Sequence, residues 1–226
     1  MRRKKGNPAA TAVAAASNVP VVFVTGSDTG VGKTHVAGLL ARRLSRDGCT
    51  QVVKPVESGA ASGRPADALA AAGDWAEAYT LMALPAPIAP LAAAKKARKS
   101  LTLATLLKLY RALPDAPCRV VEGAGGVAVP IDPKGKDWSD FAAAIQPMVA
   151  IVVVEDRLGA INQARLSIAY LRRRYDGPVG VWLNAIRQPS AAVAASNRAG
   201  LAASGIPLLG ESGPGKRPAR IHFLPR

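Results

Sequence analysis

The stretch that decides the fold is Thr25–Thr34, which reads TGSDTGVGKT and follows directly on the apolar, β-branched run Val19–Val24. From Lys33 onward the chain is amphipathic, with apolar residues near helical spacing, until Gly48. A buried strand, a glycine-containing loop ending in Gly-Lys-Thr, and a helix in direct succession form the context in which such a loop binds phosphate. We therefore predict a nucleotide site at this point of the chain.

The residue types in the loop suit a nucleoside triphosphate. Gly30 and Gly32 let backbone N–H groups turn inward without a Cβ clash, and these groups hold phosphate together with the helix N-terminus. Lys33 is expected to reach the β- and γ-phosphates, and the Thr34 hydroxyl is expected to bind Mg²⁺. A Rossmann dinucleotide site is excluded, because the spacing differs and Lys54 lies where an acid is needed.

Composition places the chain among globular proteins. Its 226 residues are 49% hydrophobic and 4% aromatic, and no apolar run reaches the roughly 20 residues of a membrane helix. The two cysteines, Cys49 and Cys118, are too few for a disulfide framework or a zinc site, which favours a reducing, cytoplasmic location. The formal net charge is +15, but almost half of the excess lies in residues 1–20 and 211–226. We therefore expect no membrane and no nucleic acid among the partners.

Strands and helices alternate along the chain. The predicted strands are Val19–Val24, Gln51–Lys54, Cys118–Val121, Met148–Val154, Val179–Leu183 and Pro207–Leu209. The predicted helices are Lys33–Arg46, Asp67–Ala72, Leu101–Leu113, Trp138–Ile145, Ala160–Arg174 and Ala191–Ser204. This alternation predicts a three-layer α/β/α sandwich with a mostly parallel central sheet, the P-loop NTPase fold.

The predicted domain organisation is a single domain over residues 19–211 between two basic tails. Residues 1–18 are alanine-rich and free of acids, which fits a flexible extension and also a transit peptide. Residues 212–226 contain three prolines and are predicted to be irregular. Within the domain, the Pro/Ala-rich segment 83–90 is predicted to be a loop.

Charged residues follow the second and third strands. Lys54 lies at the end of a strand, at the edge of an open α/β sheet where ligands bind. Glu122 ends an apolar strand and precedes a glycine-rich turn, an arrangement typical of a carboxylate that helps to hold Mg²⁺ beside a nucleotide. Asp67 opens a helix, so its sequence position fits a helix cap as well as a second metal ligand.

Taken together, these segments resemble the dethiobiotin synthetase family of the P-loop superfamily. The family motifs GTDTxVGKT, KPVx[ST]G, VEGAGG, LGx[IL]N, GxxxN and PLLGE have counterparts, in order, at residues 26–34, 54–59, 121–126, 158–162, 180–184 and 207–211. The resemblance implies an ATP-dependent ring closure. Carbon dioxide adds to one amino group of 7,8-diaminopelargonate, ATP phosphorylates the carbamate, and the second amine closes the ureido ring.

The resemblance also implies residue roles. The implied catalytic residues are Lys33, Lys54, Thr29 and Ser58. The implied ATP-binding residues are Asp28, Thr29, Gly30, Val31, Gly32, Lys33, Thr34, Glu122 and Asn184, the last of which would contact the adenine. The implied Mg²⁺ ligands are Thr34, Asp67 and Glu122. The substrate-binding set is Lys54 and Ser58 together with Gly159, Ala160, Ile161 and Asn162, which in the family hold a substrate carboxylate across a homodimer interface.

Some positions depart from the family pattern. Gly30 replaces a common glutamate, the segment 89–91 reads Ala-Pro-Leu where many members have Ser-Pro-His, and Glu57 adds a charge beside Lys54. Three alternatives therefore remain: a partition- or septum-type ATPase that binds DNA or membrane, a catalytically silent nucleotide-binding relative, and a cobyrinate-type synthetase domain. Asp28 argues against the first, because that class carries a lysine there.

Overall fold

The computed structural model describes residues 19–48, 50–60, 65–214 and 220–222. The predicted tail 1–18 lies outside the described residues, as does most of the segment after Pro214. Among the described residues, no helix is long and apolar enough to cross a membrane.

The chain alternates strands and helices, as the sequence predicts. The strands are β1 (Val21–Gly26), β2 (Thr50–Lys54), β3 (Glu57–Ser58), β4 (Ala76–Thr80), β5 (Ala83–Leu84), β6 (Cys118–Glu122), β7 (Val149–Glu155), β8 (Val179–Asn184), β9 (Leu208–Ser212) and β10 (Arg220–Ile221). The helices are α1 (Lys33–Leu44), α2 (Asp67–Ala72), α3 (Pro90–Lys96), α4 (Leu103–Arg111), α5 (Trp138–Ile145), α6 (Ala160–Leu171) and α7 (Ala191–Ala203). A 3₁₀ turn, Ser45–Asp47, follows α1.

Eight strands form one sheet in the order β10-β9-β8-β7-β1-β6-β2-β4. Neighbouring strands run parallel except for β10, which pairs antiparallel with β9. The prediction of a mostly parallel sheet in an α/β/α fold is therefore confirmed. A second, two-stranded sheet pairs β3 with β5.

The alternation of side chains along β1 explains the layers. Val22 and Val24 are in the apolar cluster beneath α1 and α2, whereas Val21 and Phe23 are in the cluster formed with α4, α5 and α6. Successive residues of a strand point to opposite faces, so a strand that is apolar at every position is buried on both faces. Every residue of β1 is buried, as expected for a continuous apolar run in the interior of the sheet.

Strand order determines where the site lies. β1 is flanked by β6 and β7, and β2 lies beyond β6, so the loops after β1, β2 and β6 leave the same edge of the sheet. The register places Val24 of β1 opposite Glu122, the last residue of β6. The glycine-rich turn follows Glu122 directly. Ligands of open α/β sheets bind at this carboxyl edge.

The structure corrects the expectation for residues 76–96. The segment predicted as a loop over 83–90 contains β5, and α3 begins at Pro90. Strand β4 was not predicted, because its sequence AEAYT lacks a β-branched run. Among the described residues, this strand pairs with β2 alone and lies at the edge of the sheet. Its side chains are partly exposed, so they need not be apolar.

The segment after residue 212, predicted to be irregular, also contains a short strand. Arg220 pairs with Glu211 and Ile221 with Gly210. The backbone N–H of His222 donates to the Leu209 carbonyl at 2.8 Å. This contact depends on backbone groups, so the side-chain pattern gave no signal for it.

Candidate active site

The loop between β1 and α1 has the backbone shape of a phosphate cradle. Gly30 has φ +76° and Gly32 has φ +94°, in the left-handed region that favours glycine. At Gly32 a Cβ would lie 2.0 Å from Nδ2 of Asn184, so a side chain there would displace Asn184 from its hydrogen bond to the Val31 carbonyl. The loop then enters α1 directly, and the first-turn N–H groups of that helix are available to an anion.

Lys33, the first residue of α1, is 7% exposed and folds back over the loop. Its Nζ donates to the carbonyl oxygen of Asp28 at 2.7 Å. Burial, helped by the nearby charge of Lys54, lowers the pKa of Lys33 to about 8. A bound triphosphate would restore the charged form, because an adjacent anion favours the ammonium ion.

Lys54 lies at the centre of a cluster of opposite charges. It is 3% exposed, and its Nζ lies 2.6 Å from Oε1 of Glu122 and 2.8 Å from Oδ2 of Asp67. Burial alone would lower the pKa of Lys54, but the two carboxylates outweigh it and the pKa is raised. The Thr34 hydroxyl donates to the same Glu122 Oε1 at 2.8 Å, which joins α1 to β6 at the site.

The donor set fits Mg²⁺ bound together with phosphate. Among the described residues Oε2 of Glu122 is buried with no hydrogen-bond partner, so a buried acceptor remains available for a cation. Mg²⁺ is commonly held by one or two carboxylates, with phosphate oxygens and waters completing the octahedron. Glu122, Asp67 and Thr34 meet that requirement. Within the described residues, no three His, Cys, Asp or Glu side chains lie close enough together to hold a metal ion by themselves.

These groups line a cleft of about 630 Å³. The polar side chains of its lining, here called the polar wall, are Thr29, Lys33, Thr34, Lys54, Ser58, Asp67 and Glu122. The apolar side chains, here called the apolar wall, are Pro87, Ile88, Ala89, Pro90, Ala124 and Val129. Within the part of the chain that the structure describes, the Ser58 hydroxyl on the polar wall is buried with no hydrogen-bond partner, so it can donate to a ligand oxygen.

Asn184 supports the phosphate loop from the end of β8. Its Nδ2 donates to the Val31 carbonyl at 2.9 Å, and its Oδ1 accepts from the Ser212 hydroxyl at 2.7 Å. The Ser212 hydroxyl in turn accepts from Nε1 of Trp182 at 2.9 Å. An amide has two N–H groups and two acceptor sites, so one of each remains for a base.

Comparison with known proteins identifies the family. A family model described as an AAA domain matches residues 20–212. The ATP-dependent dethiobiotin synthetase of Anaeromyxobacter sp. (strain K) is 39% identical over 170 residues, which cover 72% of this chain and 75% of that protein. The same-named protein of Mycobacterium bovis (strain BCG / Pasteur 1173P2) is 37% identical over 188 residues, covering 80% and 82%. The chain belongs to the dethiobiotin synthetase family.

Solved structures with the same fold are more distant. A plasmid partition protein of Borrelia burgdorferi B31, bound to AMPPNP, superposes with a TM-score of 0.55 at 12% identity, covering 88% of each chain. Chloroplast FtsY of Physcomitrella patens gives 0.55 at 17% identity, covering 91% of this chain and 63% of its own. At such identity the likeness shows the fold alone. The partition-type alternative therefore gains nothing specific from it.

The carboxylate-binding segment expected for the synthetase family lies apart from the cleft. Gly159, with φ +94°, precedes α6, and Ala160 begins that helix. Neither these residues nor Ile161 and Asn162 line the 630 Å³ cleft within the described chain. Gly159, Ile161 and Asn162 instead line a separate surface depression. The structure thus brings together the predicted phosphate, lysine and metal groups in one cleft, and residues 159–162 do not line it.

Two features of the site go beyond the sequence prediction. The first is the apolar wall, part of which lies in a segment predicted as a featureless loop. The second is the buried carboxylate of Glu57, which the sequence marks only as an unexpected charge next to Lys54. The available signal was the charge itself, which departs from the family pattern at this position.

Proposed function

We propose that this chain is an ATP-dependent dethiobiotin synthetase. It would carboxylate 7,8-diaminopelargonate with carbon dioxide and close the ureido ring at the expense of ATP. The observation that carries the proposal is Lys54, which lies at the end of β2, buried between Glu122 and Asp67 in the cleft that the phosphate loop also lines. A positioned cation at this point faces both a triphosphate and an anionic carbamate.

The chemistry needs cations and hydrogen-bond donors rather than a protein nucleophile. A carbamate oxygen attacks the γ-phosphorus, the bond to the bridging oxygen breaks, and ADP leaves. The second amino group then attacks the carbamate carbon, loses a proton, and expels inorganic phosphate. Lys33 and Lys54 would stabilise the anionic transition states, and Thr29 and Ser58 would donate to phosphate or carbamate oxygens.

Thr34, Asp67 and Glu122 would hold Mg²⁺, which when bound neutralises charge on the β- and γ-phosphate oxygens. Until phosphate and metal arrive, Lys54 balances the two carboxylates, so the site carries no isolated buried charge. Asn184 would use its remaining N–H and acceptor for the adenine.

The apolar wall would hold the aliphatic chain of the substrate. Ala89 in the cleft stands where many family members have a serine, and Leu91 where they have a histidine, which leaves hydrophobic burial as the main interaction along this side. The substrate carboxylate would be held by backbone N–H groups of residues 159–162 from the second subunit of a homodimer. A cytoplasmic location is part of the same proposal.

The test is product formation from diaminopelargonate, bicarbonate and MgATP. We expect dethiobiotin from the wild-type protein. We expect about a 100-fold or greater loss of kcat in Lys54→Ala with ATP binding retained. Lys95→Ala, which removes an exposed lysine of α3, is the matched control and should behave as wild type.

A folded, ATP-binding wild-type protein that makes no dethiobiotin would contradict the proposal. DNA binding that persists at physiological salt, with a steep salt dependence, would instead support the partition-type alternative.

A further inference from the structure

Glu57 is a buried carboxylate that contacts the beginning of α2. It is 5% exposed, in the two-residue strand β3. Its Oε1 accepts from the backbone N–H of Ala66 at 2.6 Å and from that of Asp67 at 3.2 Å. Its Oε2 lies 3.4 Å from the Thr80 hydroxyl, which donates to it. A buried carboxylate needs such donors, so these contacts hold Glu57 and α2 in one relative position.

The local sequence of α2 explains why this carboxylate is needed. The residue before the helix is Ala66, which has no side-chain acceptor and makes no side-chain cap. The first N–H groups of a helix have no intrahelical partner and usually bind a capping side chain. Glu57 supplies that acceptor from a distant position in the chain.

The helix that Glu57 holds begins with Asp67. Asp67 is only partly buried, with 44% of its side chain exposed, and its Oδ2 contacts Nζ of Lys54 at 2.8 Å. Lys54 and Glu57 are close in sequence, separated by Pro55 and Val56. One short segment therefore carries the central lysine and also the group that brings the second carboxylate over that lysine.

We propose that Glu57 is a positioning residue, which acts through Asp67 to complete the Mg²⁺–nucleotide site. The inference rests on the proposed function, in which Asp67 is a metal ligand. Groups that orient metal ligands typically contribute 10- to 100-fold to metal affinity or activity. Loss of Glu57 should therefore weaken the binding of Mg²⁺. The contacts of the phosphate loop that do not involve the metal should stay intact.

The experiment is a double-mutant cycle on the full chain with Glu57→Ala, Asp67→Asn and the combined variant. We expect Glu57→Ala to raise the Mg²⁺ concentration for half-maximal activity by about 10-fold, and MgATP affinity to fall in calorimetry. In the Asp67→Asn background the same change should have little further effect, because residues that act through one another are not additive. Equal losses in both backgrounds would overturn the proposal.

Two further variants separate positioning from general stability. Glu57→Gln keeps an oxygen for the Ala66 and Asp67 N–H groups. The Mg²⁺ concentration that it needs for half-maximal activity should therefore be close to that of the wild type. Thr80→Val removes the hydroxyl contact and leaves the helix contact, so its Mg²⁺ dependence should stay close to that of wild type. If Thr80→Val reproduced the effect of Glu57→Ala, burial of the carboxylate rather than its contact with α2 would be responsible, and the proposal would fail.

A readout independent of product formation keeps this inference distinct from the proposed function. Amide hydrogen exchange at residues 66 and 67 should become faster in Glu57→Ala and remain slow in Glu57→Gln. If the wild type makes no dethiobiotin, the proposed function fails, while MgATP affinity and amide exchange still report on Glu57. Unchanged exchange and unchanged MgATP affinity in Glu57→Ala would refute the positioning role.

Discussion

The two glycines of the phosphate loop are needed for different reasons: Gly30 for its backbone conformation, and Gly32 for its conformation and for the lack of a side chain. Both have positive φ, but a Cβ at Gly32 would meet Asn184 at 2.0 Å, whereas a Cβ at Gly30 meets nothing within 4 Å. Gly32→Ala should therefore abolish ATP binding and destabilise the protein. Gly30→Ala should cost roughly 1–2 kcal/mol of backbone strain and retain binding. Calorimetric titration with ATP and denaturant unfolding check both, and equal behaviour of the two variants would contradict the steric argument.

The lowered pKa of Lys33 predicts proton uptake when ATP binds. With a pKa of about 8, roughly half of the Lys33 side chains are neutral at pH 8. The triphosphate favours the charged form, so binding at pH 8 should take up about half a proton. Calorimetry in buffers of different ionisation enthalpy measures this number. Lys33→Arg is the control, because arginine stays charged and should show no uptake; equal uptake in that variant would assign the proton to another group.

The lowered pKa of Lys33 also predicts how the stability of the ligand-free protein changes with pH. The pKa of Lys33 is lower in the folded protein than the ordinary 10.5, so the unfolded chain binds more protons between these values. The Lys33 contribution to the free energy of unfolding should therefore rise as pH increases from about 8 to 10.5. Comparing the pH dependence of urea unfolding in wild type and in Lys33→Met isolates this term; identical slopes would contradict it.

At the scale of elements, the ends of β8 and β9 hold the loop that follows β1. Trp182, Ser212 and Asn184 form a chain of hydrogen bonds that ends on the Val31 carbonyl. Ser212→Ala removes the middle of this chain and leaves the buried Trp182 N–H unpaired. We expect a loss of about 1 kcal/mol in stability and weaker ATP binding. Ser204→Ala is the control: Ser204 follows α7, its exposed hydroxyl donates to the Gly200 carbonyl of that helix, and its loss should change neither.

The elements also show what sequence patterns can and cannot predict. Helices α2 and α5 have the predicted bounds, and the apolar strands β1 and β7 lie within about two residues of theirs. These elements were predictable because burial requires apolar side chains at the positions that face the core. Strands β4 and β10 escaped prediction because edge pairing is made by backbone groups, with partly exposed side chains. Lys54 and Glu122 were predictable because strand ends place them together, whereas the contact of Glu57 with α2 depends on how the intervening chain returns.

At the scale of the whole molecule, the proposed homodimer would account for the separate positions of the main cleft and of residues 159–162. Residues 159–162 lie outside the main cleft, and beside them Leu158 and Leu166 are 82% and 63% exposed. Large exposed apolar side chains at one place are typical of an interface. If the carboxylate-binding N–H groups come from the second subunit, each dimer has two sites, and each site takes Lys54 from one chain and residue 162 from the other.

This arrangement predicts that two inactive variants restore each other. Lys54→Ala removes the cleft lysine. Asn162→Pro removes one backbone N–H in the first turn of α6, where that group has no partner within the helix. In a mixed dimer both defects fall on the same site and the other site is intact, so random mixing should restore about a quarter of wild-type activity. Light scattering on the co-expressed chains verifies the dimer. A dimer whose mixtures remain as inactive as either variant alone would mean that each chain contains its whole site.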